Sequence, residues 1–305
     1  MMADIAASVL AKLKNKAKAS SISYQQCLQL FFQEEFLRRL AGSKYAQNFV
    51  LKGGLFIYTL TNFESRATVD ADFLMRGLNN DLARMDEIIA EILAVDTGND
   101  FVTFKAGKTE PIAVQRKYHG VSTQITGYIK NVRVPFNVDI GVGDVIVPCA
   151  QRRNIQTQLD GYDKPEILTY SLESTIAEKF DAILQRFELT GRMKDFYDIY
   201  YLSQKFDFDG LKLQTAIGET LQNRRTAYEK DSFDRVLALA DDTDMQIKWR
   251  YFLKTLGNSE MEFSTVIDGI KVFLLPVWDA ILNDSELQKV WIAANIQWTN
   301  IMPVS

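Results

Sequence analysis

Alternation of polar and apolar residues is sharpest in Arg66-Ala67-Thr68-Val69-Asp70-Ala71-Asp72-Phe73. In an extended strand Arg66, Thr68, Asp70 and Asp72 leave from one face, and Ala67, Val69, Ala71 and Phe73 from the other. A second alternating run, Phe136-Asn137-Val138-Asp139-Ile140, sets Asn137 and Asp139 against three apolar neighbours. Upstream, Phe49-Val50-Leu51-Lys52 reads as a short buried strand ending at Gly53-Gly54, after which Leu55 to Leu60 continues as an apolar helix. Thr103 to Phe136 is rich in Val, Ile, Thr and Tyr with Gly interruptions, the pattern of hairpin strands linking the two acidic ones.

Helical periods dominate elsewhere. Asp4 to Lys18 mixes Ile5, Val9, Leu10 and Leu13 with lysines, as an amphipathic helix does. Ser171 can cap a helix whose apolar side is Ile176, Phe180, Ile183, Leu184 and Phe187, with Glu173 favoured in its first turn. Lys179 falls at the border of that stripe, where a lysine ordinarily snorkels to water. Asp195 and Asp198 share one side of the next helix while Phe196, Ile199 and Tyr200 form its packed side; pairing with Arg192 or Lys194 would account for both acids. Further helix-period stretches follow at Phe233 to Ala240 and Trp249 to Leu256, and the four tryptophans (Trp249, Trp278, Trp291, Trp298) read as core rather than as base-stacking platforms. The chain thus divides into a helical lead-in over 1–47, an α/β core over 48–165 and a helical domain over 166–305.

Composition narrows the chemistry. With 305 residues, 47% hydrophobic and 24% charged, the chain can bury a core and hold two domains. Cys27 and Cys149 stand far apart and outside any CxxC, which argues against a disulfide framework or a thiolate metal site. His119 is the only histidine, so catalysis falls to carboxylates, lysine and bound metal. A net charge of −4 is not the footprint of a surface that binds polyanions throughout. Local clusters remain as candidates: Lys12, Lys14, Lys16 and Lys18; Arg38, Arg39 and Lys44; Arg116 and Lys117; Arg152 and Arg153; Arg224 and Arg225. The N-terminal segment lacks a continuous apolar stretch of signal-peptide length, and Val272 to Trp278 falls far short of the ~20 residues a spanning helix needs. A cytoplasmic protein without a membrane segment is expected.

Two carboxylates side by side repel each other unless positive charge lies between them, and hard divalent cations with oxygen ligands are the usual answer. Asp139 on a neighbouring strand would add a third acid. Two glycines between strand and helix let a backbone approach a phosphate, with helix N-terminal amides aimed at it. The plain alternatives are a solvated strand face and a tight turn.

The order Gly-Gly, helix, strand with Asp-x-Asp, then a later strand with one Asp resembles the minimal nucleotidyltransferase fold of the DNA polymerase beta superfamily. More specifically, LKGG at Leu51 to Gly54, RATVDAD at Arg66 to Asp72, NVDIGVGD at Asn137 to Asp144, and LESTIAEKFDAI followed by RMKDFYDIYYL resemble the AbiEii/MenT-like nucleotidyltransferase toxins, from about Tyr24 to about Leu202. The resemblance implies an α+β fold: a minimal nucleotidyltransferase core, a short mixed sheet with flanking helices, followed by a helical C-terminal domain. It implies a toxin of a toxin–antitoxin or abortive-infection system with a cognate antitoxin. The implied reaction moves NMP from a nucleoside triphosphate to an acceptor, the 3′ end of tRNA in related toxins, and releases pyrophosphate. Asp70, Asp72 and Asp139 would hold two Mg²⁺ ions. Lys52, Gly53, Gly54, Arg66, Thr68 and Asp198 would contact the nucleotide, and Lys179 and Asp195 would join the catalytic set, with Asp195 favoured slightly over Asp198 as the essential aspartate of its motif. Two other readings are a catalytically inert nucleotide-binding protein and a metal-dependent phosphoesterase or nuclease, since carboxylate pairs with Mg²⁺ also serve water attack.

Overall fold

The structure, a computed structural model, describes residues 4–20, 22–112, 120–186, 192–257 and 260–300. Arg116, Lys117, His119 and Phe187 lie outside the described residues. The chain forms two compact units, residues 1–143 with 150–170, and residues 144–149 with 171–305.

The first unit runs α1 (Ile5–Ala19), α2 (Tyr24–Gly42), β1 (Phe49–Lys52), α3 (Gly53–Leu60), β2 (Ala71–Met75), α4 (Leu82–Leu93), β3 (Thr103–Ile112), β4 (Gly120–Ile129), β5 (Val132–Val142), β6 (Gln151–Asn154) and β7 (Glu166–Thr169). Its seven strands form one sheet in the order β3-β4-β5-β2-β1-β7-β6. The β2–β5 and β1–β7 pairs are parallel and the others antiparallel, which makes the sheet mixed, as expected. The hairpin strands expected between the two acidic strands are β3 and β4, which lead into β5, the strand of Asp139.

Helix α2 opens with a capping box, Ser23 and Gln26 exchanging bonds with each other's backbone. It is buried nearly all round: Phe36 packs on Phe73 and Phe136, and Phe32 occupies the space a side chain at Gly127 would need. Polar residues are buried with it, among them Arg38, which bonds Glu35 and the Asp163 carbonyl; half-buried Arg39 bonds Glu35 and the Val102 carbonyl. That corrects the reading of Arg38 and Arg39 as a basic surface cluster: both guanidinium groups are consumed by carboxylates of their own helix and by loop carbonyls.

The segment expected as one strand from Arg66 to Phe73 is extended ladder only from Ala71. Val69, assigned to the apolar face, is 61% exposed. The reason lies in the partner strand. β1 pairs with β2 only as far as Lys52 opposite Asp72, because Gly53 turns the chain into α3, so the residues before Asp72 have no ladder on that side.

The second unit contains α5 (Leu172–Arg186), α6 (Met193–Lys205), β8 (Phe208–Asp209), α7 (Gly210–Arg224), α8 (Ser232–Leu237), α9 (Thr243–Thr255), α10 (Phe263–Leu282), β9 (Lys289–Ile292) and β10 (Gln297–Asn300). Ser171 caps α5 as expected, accepting the Ser174 amide, and Ile176, Phe180, Ile183 and Leu184 are buried. This unit is not purely helical: β10, β9 and β8 form a three-stranded sheet. Trp291 and Trp298 face each other across the β9–β10 pair rather than along a helix. Both still serve packing, since Trp291 is fully buried and Trp298 stacks on Phe273. Four-residue apolar runs carry too little periodicity to separate strand from helix. Among the described residues, no helix is long and apolar enough to cross a membrane.

Candidate active site

Register fixes the site. Lys52 stands opposite Asp72, Asp72 opposite Asp139, and Asp139 opposite Ser122, so one row crosses β1, β2, β5 and β4. Residues in register on paired strands share a face of the sheet at the strand spacing of ~4.8 Å. The adjacent row, Leu51, Phe73, Ile140 and Val121, faces the other way and is buried throughout. The same four strands therefore build core on one side and present two acids, a lysine and a hydroxyl on the other.

Ser122 Oγ donates to Asp139 Oδ1 at 2.6 Å. The sequence reading did not single out Ser122; its only signal there is a place in the alternation of β4, which it shares with Gln124 and Thr126. Lys52 Nζ lies 5.3 Å from the centroid of the Tyr170 ring, a cation–π distance.

Gly53 is required twice over. Its φ of 66° is in the left-handed region, and a Cβ there would lie 2.8 Å from Asp72 Cγ. The absent side chain lets the Asp72 carboxylate rest against the first residue of α3. Gly54 does the same for the loop, since a Cβ on it would meet Thr68 Oγ1 at 2.7 Å and Arg66 Nη1 at 3.5 Å. Arg66 and Thr68 thus reach the start of α3 through a loop, not from a strand face. The N-cap of α3 is Lys52, which supplies no side-chain cap to the helix amides.

Asp70 stands in the bend just before β2, outside the ladder that aligns Asp72 with Asp139. Among the described residues no three His, Cys, Asp or Glu side chains gather into a group that could hold a metal ion. The donor chemistry nevertheless suits Mg²⁺, which commonly takes one or two carboxylates and fills its remaining positions with water and substrate phosphate. Asp72 and Asp139 supply that pair.

In the second unit, α5 and α6 bring Lys179 between two acids. Its Nζ lies 2.6 Å from Asp198 Oδ2 and 3.2 Å from Asp195 Oδ1, and Arg192 Nε lies 2.7 Å from Asp195 Oδ2. Lys179, Asp195 and Asp198 are all buried, so the acids of α6 do not form a solvated side, and the lysine does not snorkel to water. The pairing of Asp195 with Arg192 holds, joined by a partner from the preceding helix. A second ion cluster surrounds Arg224, which reaches Asp144, Glu178 and Asp181 at 2.8–3.0 Å. Burial opposes its charge, but Glu178, Asp144 and Asp181 outweigh that and hold its pKa above the ordinary arginine value. Arg224 is therefore an internal counter-ion, not part of a basic surface.

A mixed sheet that sets paired carboxylates beside a glycine turn into a helix defines a nucleotidyltransferase-type protein. The model of the AbiEii family, described as nucleotidyl transferase AbiEii toxin, Type IV TA system, matches residues 35–284. The chain belongs to that family and is a nucleotidyltransferase toxin of a type IV toxin–antitoxin system. A nucleoside triphosphate substrate and an antitoxin partner come with that membership. Among solved structures the chain is similar to MenT4, a nucleotidyltransferase toxin from Mycobacterium tuberculosis H37Rv, at 13% identity and a TM-score of 0.53, covering 91% of this chain and 99% of that one. JHP933 from Helicobacter pylori aligns at 15% identity and a TM-score of 0.46, over 83% of this chain and 94% of that one. No curated protein matches the chain by sequence.

Proposed function

We propose that the chain transfers NMP from a nucleoside triphosphate to the 3′ end of tRNA in the cytoplasm, with Mg²⁺ as cofactor. The observation that carries this reading is the in-register row of Lys52, Asp72 and Asp139 beside the glycine start of α3. Asp72 and Asp139, joined by Asp70, would hold the Mg²⁺ ions, two in the full reading. Bound there, Mg²⁺ would neutralise triphosphate charge and favour the ionised acceptor hydroxyl. Lys52 and the amides of Gly53 and Gly54 bind phosphate oxygens, and Arg66 and Thr68, held against Gly54, orient the triphosphate. Ser122 fixes the rotamer of Asp139. The resemblance adds Lys179 and Asp195 to the catalytic set and Asp198 to the nucleotide contacts; within the second unit Lys179 pairs with both acids.

Labelled nucleoside triphosphates, Mg²⁺ and total RNA test the reading, with Asp72→Asn as the control. Wild type should label RNA at its 3′ end, and the variant should lose about a hundred- to a thousandfold in rate, as when a transition-state electrostatic group is removed. Label on protein or on other RNA would redirect the acceptor, shortened RNA would select the phosphoesterase reading, and nucleotide binding without transfer would select the inert one.

A further inference from the structure

The bend that delivers Asp70 and Asp72 is tied through its backbone to a neighbouring helix. Val69 at its centre projects outward and is 61% exposed, so apolar packing does not fix it. Its carbonyl, however, points inward to α2. Gln33 Nε2 donates to that oxygen at 2.9 Å, and Gln29 Nε2 donates to the same atom. The two glutamines are one helical turn apart and share a face, and a carbonyl oxygen has two lone pairs to accept them both.

These amides occupy costly positions. Gln29 and Gln33 are 7% and 0% exposed on a helix that also buries Phe31, Phe32 and Phe36. A buried amide is unfavourable unless bonded, and Gln33 Oε1 has no hydrogen-bond partner. An apolar side chain of the same length would fill the space without that orphan. What it could not do is hold the Val69 carbonyl.

We propose that Gln29 and Gln33 are positioning residues, a two-amide clamp that pins the bend at Val69 and so sets where Asp70 and Asp72 stand relative to Asp139. The clamp lies wholly within the first unit. Its consequence for metal and nucleotide rests on the nucleotidyl-transfer reading above.

The test compares the full-length chain with Gln33→Met and with the Gln29→Met, Gln33→Met double variant. Hydrogen exchange of peptides spanning residues 66–72, thermal unfolding, and calorimetric titration with Mn²⁺ in the absence of nucleotide are measured on each. The double variant should melt within a few degrees of wild type, yet exchange in 66–72 at least about tenfold faster and bind Mn²⁺ about tenfold more weakly, with Gln33→Met between the two. A role confined to packing would move the melting temperature and leave exchange in that segment and Mn²⁺ affinity alone, which overturns the clamp. Should the double variant fail to fold, the single variant carries the same comparison. If wild type binds no Mn²⁺, or binds it equally well after Asp72→Asn, the metal-dependent reading fails while the exchange data still decide the clamp.

Discussion

The two units handle charge in opposite ways. In the first, Asp72 and Asp139 stand side by side on a half-buried sheet face, with one lysine in their row. In the second, Lys179, Arg192, Asp195 and Asp198 form a cluster of two cations and two carboxylates, with the lysine and both acids buried. A balanced buried cluster is complete in itself and stabilises only while every member is present. The row of the first unit holds two carboxylates and one lysine on a face that solvent reaches. The first arrangement suits a place where ligands come and go.

Removing one charge from each unit separates them most strongly. Lys179→Met takes the lysine away from two buried carboxylates and should cost about 3–5 kcal/mol of unfolding free energy, the range for breaking a buried ion pair. Asp72→Asn relieves a repulsion on a half-exposed face and should leave stability unchanged or slightly raised while abolishing transfer. Urea unfolding of the two variants beside wild type checks both. Equal destabilisation by the two substitutions would erase the distinction between the units.

Glu34 on α2 sharpens the contrast from inside the first unit. It is fully buried, and burial outweighs the attraction of Arg38 and the Gln158 amide, pushing its carboxyl up to about 8. Because the folded value lies above the unfolded one, the folded state pays nothing below the ordinary carboxylate range and loses stability progressively as pH climbs towards 8. Glu34→Gln keeps an oxygen for the Gln158 amide without a titrating proton. The melting temperature of the variant should therefore rise relative to wild type between about pH 5 and pH 8. Parallel profiles would mean that Glu34 is charged in the fold and balanced, as the Lys179 cluster is.

How far such differences were legible in the sequence depended on what sets each one. Asp72 and Asp139 were legible because period-two alternation survives in any strand with one buried face, and the register that unites them follows from pairing the apolar residues between them. Asp70, Arg66 and Thr68 were placed on that strand wrongly: the end of β1 at Gly53 and the capture of the Val69 carbonyl by α2 are tertiary facts that a local pattern does not carry. Lys179 looked like a border residue because nothing in α5 shows that α6 brings two acids to it. Arg38, Arg39 and Arg224 looked like surface charge for the same reason. The β9–β10 pair was missed because Lys289 to Ile292 is too short to show a period.

Ser122→Ala gives the smallest effect and probes the row at its least obvious member. The hydroxyl donates to Asp139 Oδ1 at 2.6 Å, a short bond of the kind made to an ionised acceptor. Both residues are half-buried, so water can replace the lost donor, and the net loss should be about 1 kcal/mol rather than the full value of a charge-assisted bond. That corresponds to roughly five- to tenfold in transfer rate at limiting Mg²⁺, with little change in melting temperature. Ser122→Thr keeps the hydroxyl on a strand that favours β-branched residues and should restore the rate. If alanine and threonine are equally impaired, β4 contributes space and not a hydrogen bond. If both match wild type at every Mg²⁺ concentration, Asp139 is oriented by its strand alone, and the row that matters ends at β5.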